Sequence, residues 1–108
     1  LYGRRILEAS TVRTMMTPQV QGRAANLSPY QGLGWHIKGP WKFTEFPSIT
    51  PDGSYSHGGG THCMLFICPA RNLVAAKLLN RGYWPNTFDY SGDYRRFNQL
   101  VLEAVGDE

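Results

Sequence analysis

The stretch Ser56-His57-Gly58-Gly59-Gly60-Thr61-His62-Cys63 runs directly into the apolar segment Met64-Leu65-Phe66-Ile67-Cys68. Three successive glycines cost conformational entropy on folding. A chain tolerates that cost where the backbone must approach another group closely, or where the dihedrals exclude a β-carbon. Amides freed of side chains can point at a developing oxyanion, and an adjacent histidine can donate, accept or orient. A flexible hairpin turn with an incidental His57 accounts for the same residues, and the local sequence leaves both readings open.

Working outward, residues 62–68 predict a strand that is apolar along its length, as expected where both faces of a sheet are covered. Pro69-Ala70-Arg71-Asn72 is a short turn, and residues 73–80 return antiparallel to complete a hairpin. Upstream, Leu33, Trp35 and Ile37 alternate with Gly34, His36 and Lys38, which predicts a strand with one apolar face over residues 32–38, closed by Gly39-Pro40. Residues 41–53 hold Trp41, Phe43 and Phe46 among Pro47, Pro51 and Gly53 and read as a structured loop or irregular strand. Those aromatics fit either a substrate cleft or loop packing.

The ends read as helices. Ser10 or Thr11 can cap a short first helix whose buried face is Val12, Met15 and Met16, and Pro18 stops it. Residues 19–30 are polar and read as loop. Ser91 caps a final helix in which Phe97, Leu100, Val101, Ala104 and Val105 form a stripe at i, i+3, i+4, i+7 and i+8. Arg95, Arg96, Asn98, Gln99 and Glu103 take its other side. The fold class is α+β: an antiparallel sheet of three or four strands with a terminal helix packed on it.

Composition sets the limits. The chain has 108 residues, 42% apolar and 18% charged, with 5 Phe, 6 Tyr and 3 Trp, enough bulk for a core rather than a disordered segment. Its longest apolar run, residues 63–68, is far short of the about 18 residues that cross a bilayer, which excludes a membrane span. The net charge of +3 comes from scattered basic residues, with Arg4-Arg5 and Arg95-Arg96 as the only pairs, so no basic stripe for nucleic acid is present. Two cysteines make no disulfide scaffold. The sequence starts at Leu1 with no signal-peptide pattern, which is expected either if something upstream was removed or if this is a piece of a longer protein.

His57-Gly58-Gly59-Gly60-Thr61, with Gly32-Leu33-Gly34-Trp35 upstream and Asn80-Arg81-Gly82 downstream, resembles the C-terminal part of the β-lactamase-related serine hydrolases. That family includes class C β-lactamases, DD-peptidases and related esterases and aminopeptidases. Gly3-Arg4-Arg5-Ile6-Leu7, followed by Ser10, Val12 and Met16, is similar to the helix preceding the family's glycine-rich strand, so the resemblance covers nearly the whole chain. The family's third motif, Lys or His followed by a small residue and Gly on a strand lining the active site, falls on His57-Gly58-Gly59. The resemblance then implies that His57 helps hold the substrate carboxylate or the proton network. It implies that Gly60 supplies an oxyanion-hole N–H, and that Gly58, Gly59 and Thr61 border the substrate.

The departures are informative. His62-Cys63 stands where the family has a small or Pro-Gly step. The family's Ser-x-x-Lys and Tyr-x-Asn motifs, which lie upstream of the matched segment, do not occur. The three lysines, Lys38, Lys42 and Lys77, are preceded three residues earlier by Trp35, Gly39 and Val74. The resemblance therefore implies a single partial domain over residues 1–108, one wall of an active site without its nucleophile. Its partners would be a missing N-terminal segment and a small-molecule or peptide acyl substrate, with no metal or organic cofactor. A sheet edge and an apolar face are expected to lie uncovered.

Three other readings compete with this one. A His-Gly-Gly-Gly oxyanion hole of the α/β-hydrolase type follows a hydrophobic parallel strand. Here the run follows Asp52-Gly53-Ser54-Tyr55-Ser56, and no Gly-x-Ser-x-Gly elbow occurs. A metal site from His57, His62, Cys63 and Cys68 fails on spacing, since the two cysteines on one strand would point to opposite faces about 17 Å apart. A non-catalytic remnant or binding module of the same fold remains the alternative function.

Overall fold

A computed structural model describes residues 3–20, 30–40, 45–79 and 90–106. Its elements are α1 (Ala9–Met15), β1 (His36–Ile37), β2 (Tyr55–Gly58), β3 (Met64–Cys68), a 3-10 turn (Pro69–Arg71), β4 (Leu73–Lys77) and α2 (Tyr90–Val105). The four strands form one antiparallel sheet in the order β1-β2-β3-β4, each paired with its neighbour in sequence. This is the expected α+β architecture. Trp41, Phe43, Lys42 and the Asn80-Arg81-Gly82 end of the resemblance lie outside the described residues.

Strand alternation separates two faces. Met64, Phe66 and Cys68 of β3 are buried, and Leu102 of α2 packs on them with Phe46 to form the core. Leu73 and Ala75 of β4, and Tyr94 and Phe97 of α2, pack around it. On the other face Leu65 is 37% exposed and Val74 67% exposed, and Leu78 beyond β4 is 85% exposed. The expectation that β3 is covered on both sides is therefore corrected: its apolar run has one buried face and one open face in this chain.

Several boundaries differ from the sequence reading, each for a local reason. Residues 32–38 were expected to be a strand, but only His36–Ile37 is, with one further bridge between Gln31 and His36. The chain turns over residues 32–35 instead: the Gly32 N–H donates to the Trp35 carbonyl (2.8 Å), Gly34 has φ +80°, and Leu33 is exposed. Residues 62 and 63 likewise leave the β3 strand, because His62 has φ +66°.

Ser10 and Thr11 lie inside α1, whose N-cap is Glu8 without a side-chain cap bond. No residue of α1 is buried, and Met15 and Met16 are only half-buried. Ser91 likewise lies inside α2, which begins at Tyr90. The face that α2 buries is also rotated from the expected stripe. Asn98 and Leu102 are fully buried, whereas Leu100, Ala104 and Val105 are exposed. Asn98 is turned inward because its Nδ2 donates to the Glu45 carbonyl (2.9 Å), which fastens the buried Phe46 loop to the helix.

The C-terminus of α2 is closed by tertiary contact. Gly106, at φ +73°, donates its N–H to the Leu102 carbonyl (3.1 Å) in a left-handed cap that favours glycine. Arg71, at the β3–β4 turn, donates from Nη1 to the carbonyls of Leu102 (3.1 Å) and Gly106 (2.6 Å). Asn72 completes that turn at φ +48°, a left-handed position that asparagine tolerates. No helix among the described residues is long and apolar enough to cross a membrane.

Candidate functional site: the His57-Gly-Gly-Gly hairpin

The glycine run bridges β2 and β3. Gly58 pairs with Met64 at the end of the ladder, and the Gly59 N–H donates to the Cys63 carbonyl (2.8 Å). The His62 N–H donates back to the Gly59 carbonyl (3.0 Å). These two bonds enclose a three-residue loop, Gly60-Thr61-His62, whose last position is left-handed as in a bulged hairpin. The left-handed place goes to His62 rather than to any of the three preceding glycines, none of which is among the positive-φ residues. The run is thus both the end of a strand and a hairpin turn.

The glycine at 58 answers a close approach. A β-carbon built there would lie 2.7 Å from both Cε2 and Oη of Tyr94. Tyr94 reaches over from α2, and its hydroxyl donates to the Gly59 carbonyl (2.9 Å). Behind its ring, Lys77 Nζ stands 5.6 Å from the ring centroid and pairs with Asp93. The buried His62 imidazole is tilted against the same ring at 6.5 Å, with Nδ1 3.9 Å from Asp93 Oδ2. One turn of backbone is thus held by an aromatic ring and a Lys–Asp–His cluster from β4, α2 and the loop itself.

His57 faces the other way. Its backbone register pairs it with Leu65, on the open face of the sheet, and it is exposed. It borders an open, mostly apolar cleft of about 480 Å³ lined by Gly34, Trp35, His57, Gly58, Gly59, Cys63, Met64, Leu65, Ala76 and Leu78. The His36 ring lies 5.6 Å from the His57 ring, tilted by 49°, and His36 Nδ1 shares a hydrogen bond with Glu45 Oε1. Glu45, in turn, is buried.

Of the residues expected from the sequence, His57, Gly58 and Gly59 meet at this cleft. Gly60 and Thr61 stand exposed at the tip of the hairpin. Cys63 and Cys68 are free thiols, and among the described residues no group of three His, Cys, Asp or Glu side chains is placed to hold a metal ion. Cys63 accepts from the Leu79 N–H (3.4 Å) and lies 3.4 Å from the Thr61 hydroxyl. The Leu79 backbone bond and then the Thr61 hydroxyl hold its thiol below the ordinary cysteine value; desolvation opposes them, and the Lys77 charge adds a lesser lowering.

A family model described as Beta-lactamase matches residues 1–99. The chain belongs to the beta-lactamase family. The fold around the hairpin agrees, with a C-terminal helix on an antiparallel sheet whose glycine-rich strand ends beside an open cleft. Among curated proteins, an uncharacterized protein of Alkalihalophilus pseudofirmus is 27% identical over 106 residues, covering 97% of this chain and 32% of that protein. The chain thus spans about a third of that relative's length, at 32%. No solved structure matches it.

Within this beta-lactamase-family chain, the sequence reading missed Tyr94, Asp93, Lys77 and His62 as a group, and it missed Glu45. Only one signal pointed at any of them. The run of three glycines allows a close approach of some neighbour to the backbone, but nothing in the sequence says that the neighbour is Tyr94, on a different element. The same holds for Glu45 and His36, nine residues apart across a loop.

Proposed function

We propose that this chain furnishes the substrate strand and oxyanion turn of a serine hydrolase that cleaves an ester, amide or β-lactam-like acyl bond through an acyl-enzyme. A serine from another part of the polypeptide attacks the carbonyl carbon, and its hydroxyl proton passes to a base that also lies outside this chain. The carbonyl oxygen gains the negative charge, and the Gly60 N–H stabilises it. As the tetrahedral intermediate collapses, the bond to the amine or alcohol breaks and the leaving group takes a proton. Water then releases the acyl group by the same steps.

His57 orients the acyl substrate or assists proton transfer on the open face, while Gly58, Gly59 and Thr61 border the substrate along the strand end. The observation that supports this reading most is the direction of His57. It stands exposed on the cleft, on the sheet face opposite α2, at the end of a strand whose next residues carry no side chains. An oxyanion site needs such a backbone, since a donor is effective only where the developing charge can approach to hydrogen-bond distance.

The test compares the chain with the longer polypeptide encoded by its gene together with upstream coding sequence. A fluorescent β-lactam and a fluorescent phosphonate should label the longer protein at a serine outside residues 1–108, and His57→Ala should slow that labelling. The chain by itself should stay unlabelled. Labelling at one of its own serines, or no labelling and no acyl turnover by the longer protein, would overturn the proposal. The second of those outcomes would favour a non-catalytic binding module of the same fold.

A further inference from the structure

The Gly59–Gly60 peptide is the backbone unit on which the proposed oxyanion donor depends, and a Gly–Gly peptide is among the easiest to rotate because neither residue has a β-carbon. In this structure its carbonyl is held twice. The Tyr94 hydroxyl donates to it from α2 (2.9 Å), and the His62 N–H donates to it from across the loop (3.0 Å). The peptide bonds among the described residues are all trans, and in a planar trans peptide the N–H points opposite to the carbonyl. Fixing the Gly59 carbonyl toward Tyr94 and His62 therefore directs the Gly60 N–H away from both donors.

From this geometry we infer that Tyr94 is a positioning residue that sets the direction of the Gly60 amide, an inference that rests on the hydrolase reading for its catalytic meaning. Tyr94 acts through the carbonyl of the same peptide. Its own placement is unusually well determined for a half-buried side chain. The ring lies against the bare backbone of Gly58, where any β-carbon would press on it at 2.7 Å. The Lys77 ammonium stands over the ring at 5.6 Å and is tied to Asp93, the residue next to Tyr94 in α2. The His62 imidazole closes a third side.

This arrangement also accounts for two features that neither the hairpin nor the sheet requires. Gly58, the first glycine of the run, has no special φ, yet it must lack a side chain, because the ring that orients the Gly59–Gly60 peptide occupies that space. His62 sits at φ +66°, an unfavourable angle for a residue with a β-carbon, because its N–H and its buried ring both belong to the assembly that holds the turn.

The decisive variant is Tyr94→Phe, which keeps the ring on Gly58 and removes only the donor. In the full chain, labelled with ¹³C and ¹⁵N, the Gly59 carbonyl carbon and the Gly60 amide should shift and the Gly60 amide should broaden or exchange faster. The amides of Phe66 and Ala75, in the β3–β4 ladder, should not move, which shows that the fold is intact. In the longer protein with its upstream segment, acting on an ester or a β-lactam, Tyr94→Phe should lower kcat about tenfold with KM within about twofold, as expected when a transition-state donor is misdirected and ground-state binding is kept.

Unchanged Gly59 and Gly60 resonances in Tyr94→Phe would overturn the inference, whatever the enzyme does. So would an active longer protein whose kcat is unaffected by the variant. A wild-type longer protein without acyl turnover would sink the hydrolase reading, and the resonance measurement would still decide whether Tyr94 orients the Gly60 peptide.

Discussion

Replacing Gly58 by alanine adds one methyl group at a place where the structure gives it no room. The new β-carbon would lie 2.7 Å from Tyr94 Cε2 and Oη and 2.8 Å from Cζ. Carbon atoms settle at about 3.5–4.0 Å, so the ring must retreat by most of an ångström. It cannot do so and keep the 2.9 Å bond to the Gly59 carbonyl. Losing that bond costs about 1 kcal/mol, and forcing a packed group aside costs about 1–3 kcal/mol. Against this, alanine lowers the entropy of the unfolded chain and contributes about 0.4–1 kcal/mol to stability.

The net expectation is a loss of about 2 kcal/mol, read as a fall of about 1–2 M in the urea midpoint at unchanged slope. Far-ultraviolet circular dichroism and tryptophan fluorescence follow the same transition. The sharper measurement is the double-mutant cycle with Tyr94→Ala. In that background the methyl meets the space the ring vacated, and Gly58→Ala should become neutral or stabilising by a few tenths of a kcal/mol. The coupling should therefore be about 2 kcal/mol. Equal costs of Gly58→Ala with and without the tyrosine ring would refute the argument that close approach of Tyr94 is what requires glycine at 58.

Other substitutions test the rest of the framework. Leu102→Ala removes a fully buried side chain from between α2 and β3, and should cost about 2–5 kcal/mol in chemical denaturation. Arg71→Ala removes one donor from each of two carbonyls at the end of α2 and should cost about 1–2 kcal/mol, with faster amide exchange confined to the last turn of the helix. Gly106→Ala puts a β-carbon at φ +73° and should cost about 1 kcal/mol.

Cys63 should be alkylated by iodoacetamide with a pH midpoint below that of the same thiol in urea, while the buried Cys68 reacts only on unfolding. The sign follows from the direction of the shift. A thiol held low in the folded state contributes stability above the ordinary cysteine range, and that contribution is lost as pH falls through the folded value. A Thr61→Ala variant should move the folded midpoint back up, since its hydroxyl is one cause of the shift.

Some of this protein was readable from the chain alone, because local patterns carry it. The α+β class, the hairpin turn at Pro69-Ala70-Arg71-Asn72 and the importance of the glycine run follow from periodicity, turn chemistry and the cost of three adjacent glycines. The family resemblance rested on short motifs in a consistent order, and that order survives in one dimension. Where the sequence reading went astray, the deciding force came from another element. Asn98 was assigned to the polar side of α2, but the Glu45 carbonyl draws it inward. Leu100 and Val105 were assigned to the core, but the helix buries the neighbouring stripe through Leu102. A helix with apolar residues on more than half its surface does not say which arc will meet the sheet.

Tertiary structure alone decided the rest of the site. Whether Gly58 needed its freedom of φ or its lack of bulk is settled by a tyrosine 36 positions later, since the ring stands where the β-carbon would be. The left-handed position of the loop fell on His62, because its backbone N–H and its buried ring are both engaged there. His57 acquired His36 as a neighbour, and His36 in turn acquired Glu45, only in the folded molecule. Spacing along a chain encodes which residues can share a face of one helix or strand. Which side chain from a distant element closes on a bare peptide depends on packing in three dimensions, and only the folded molecule specifies it.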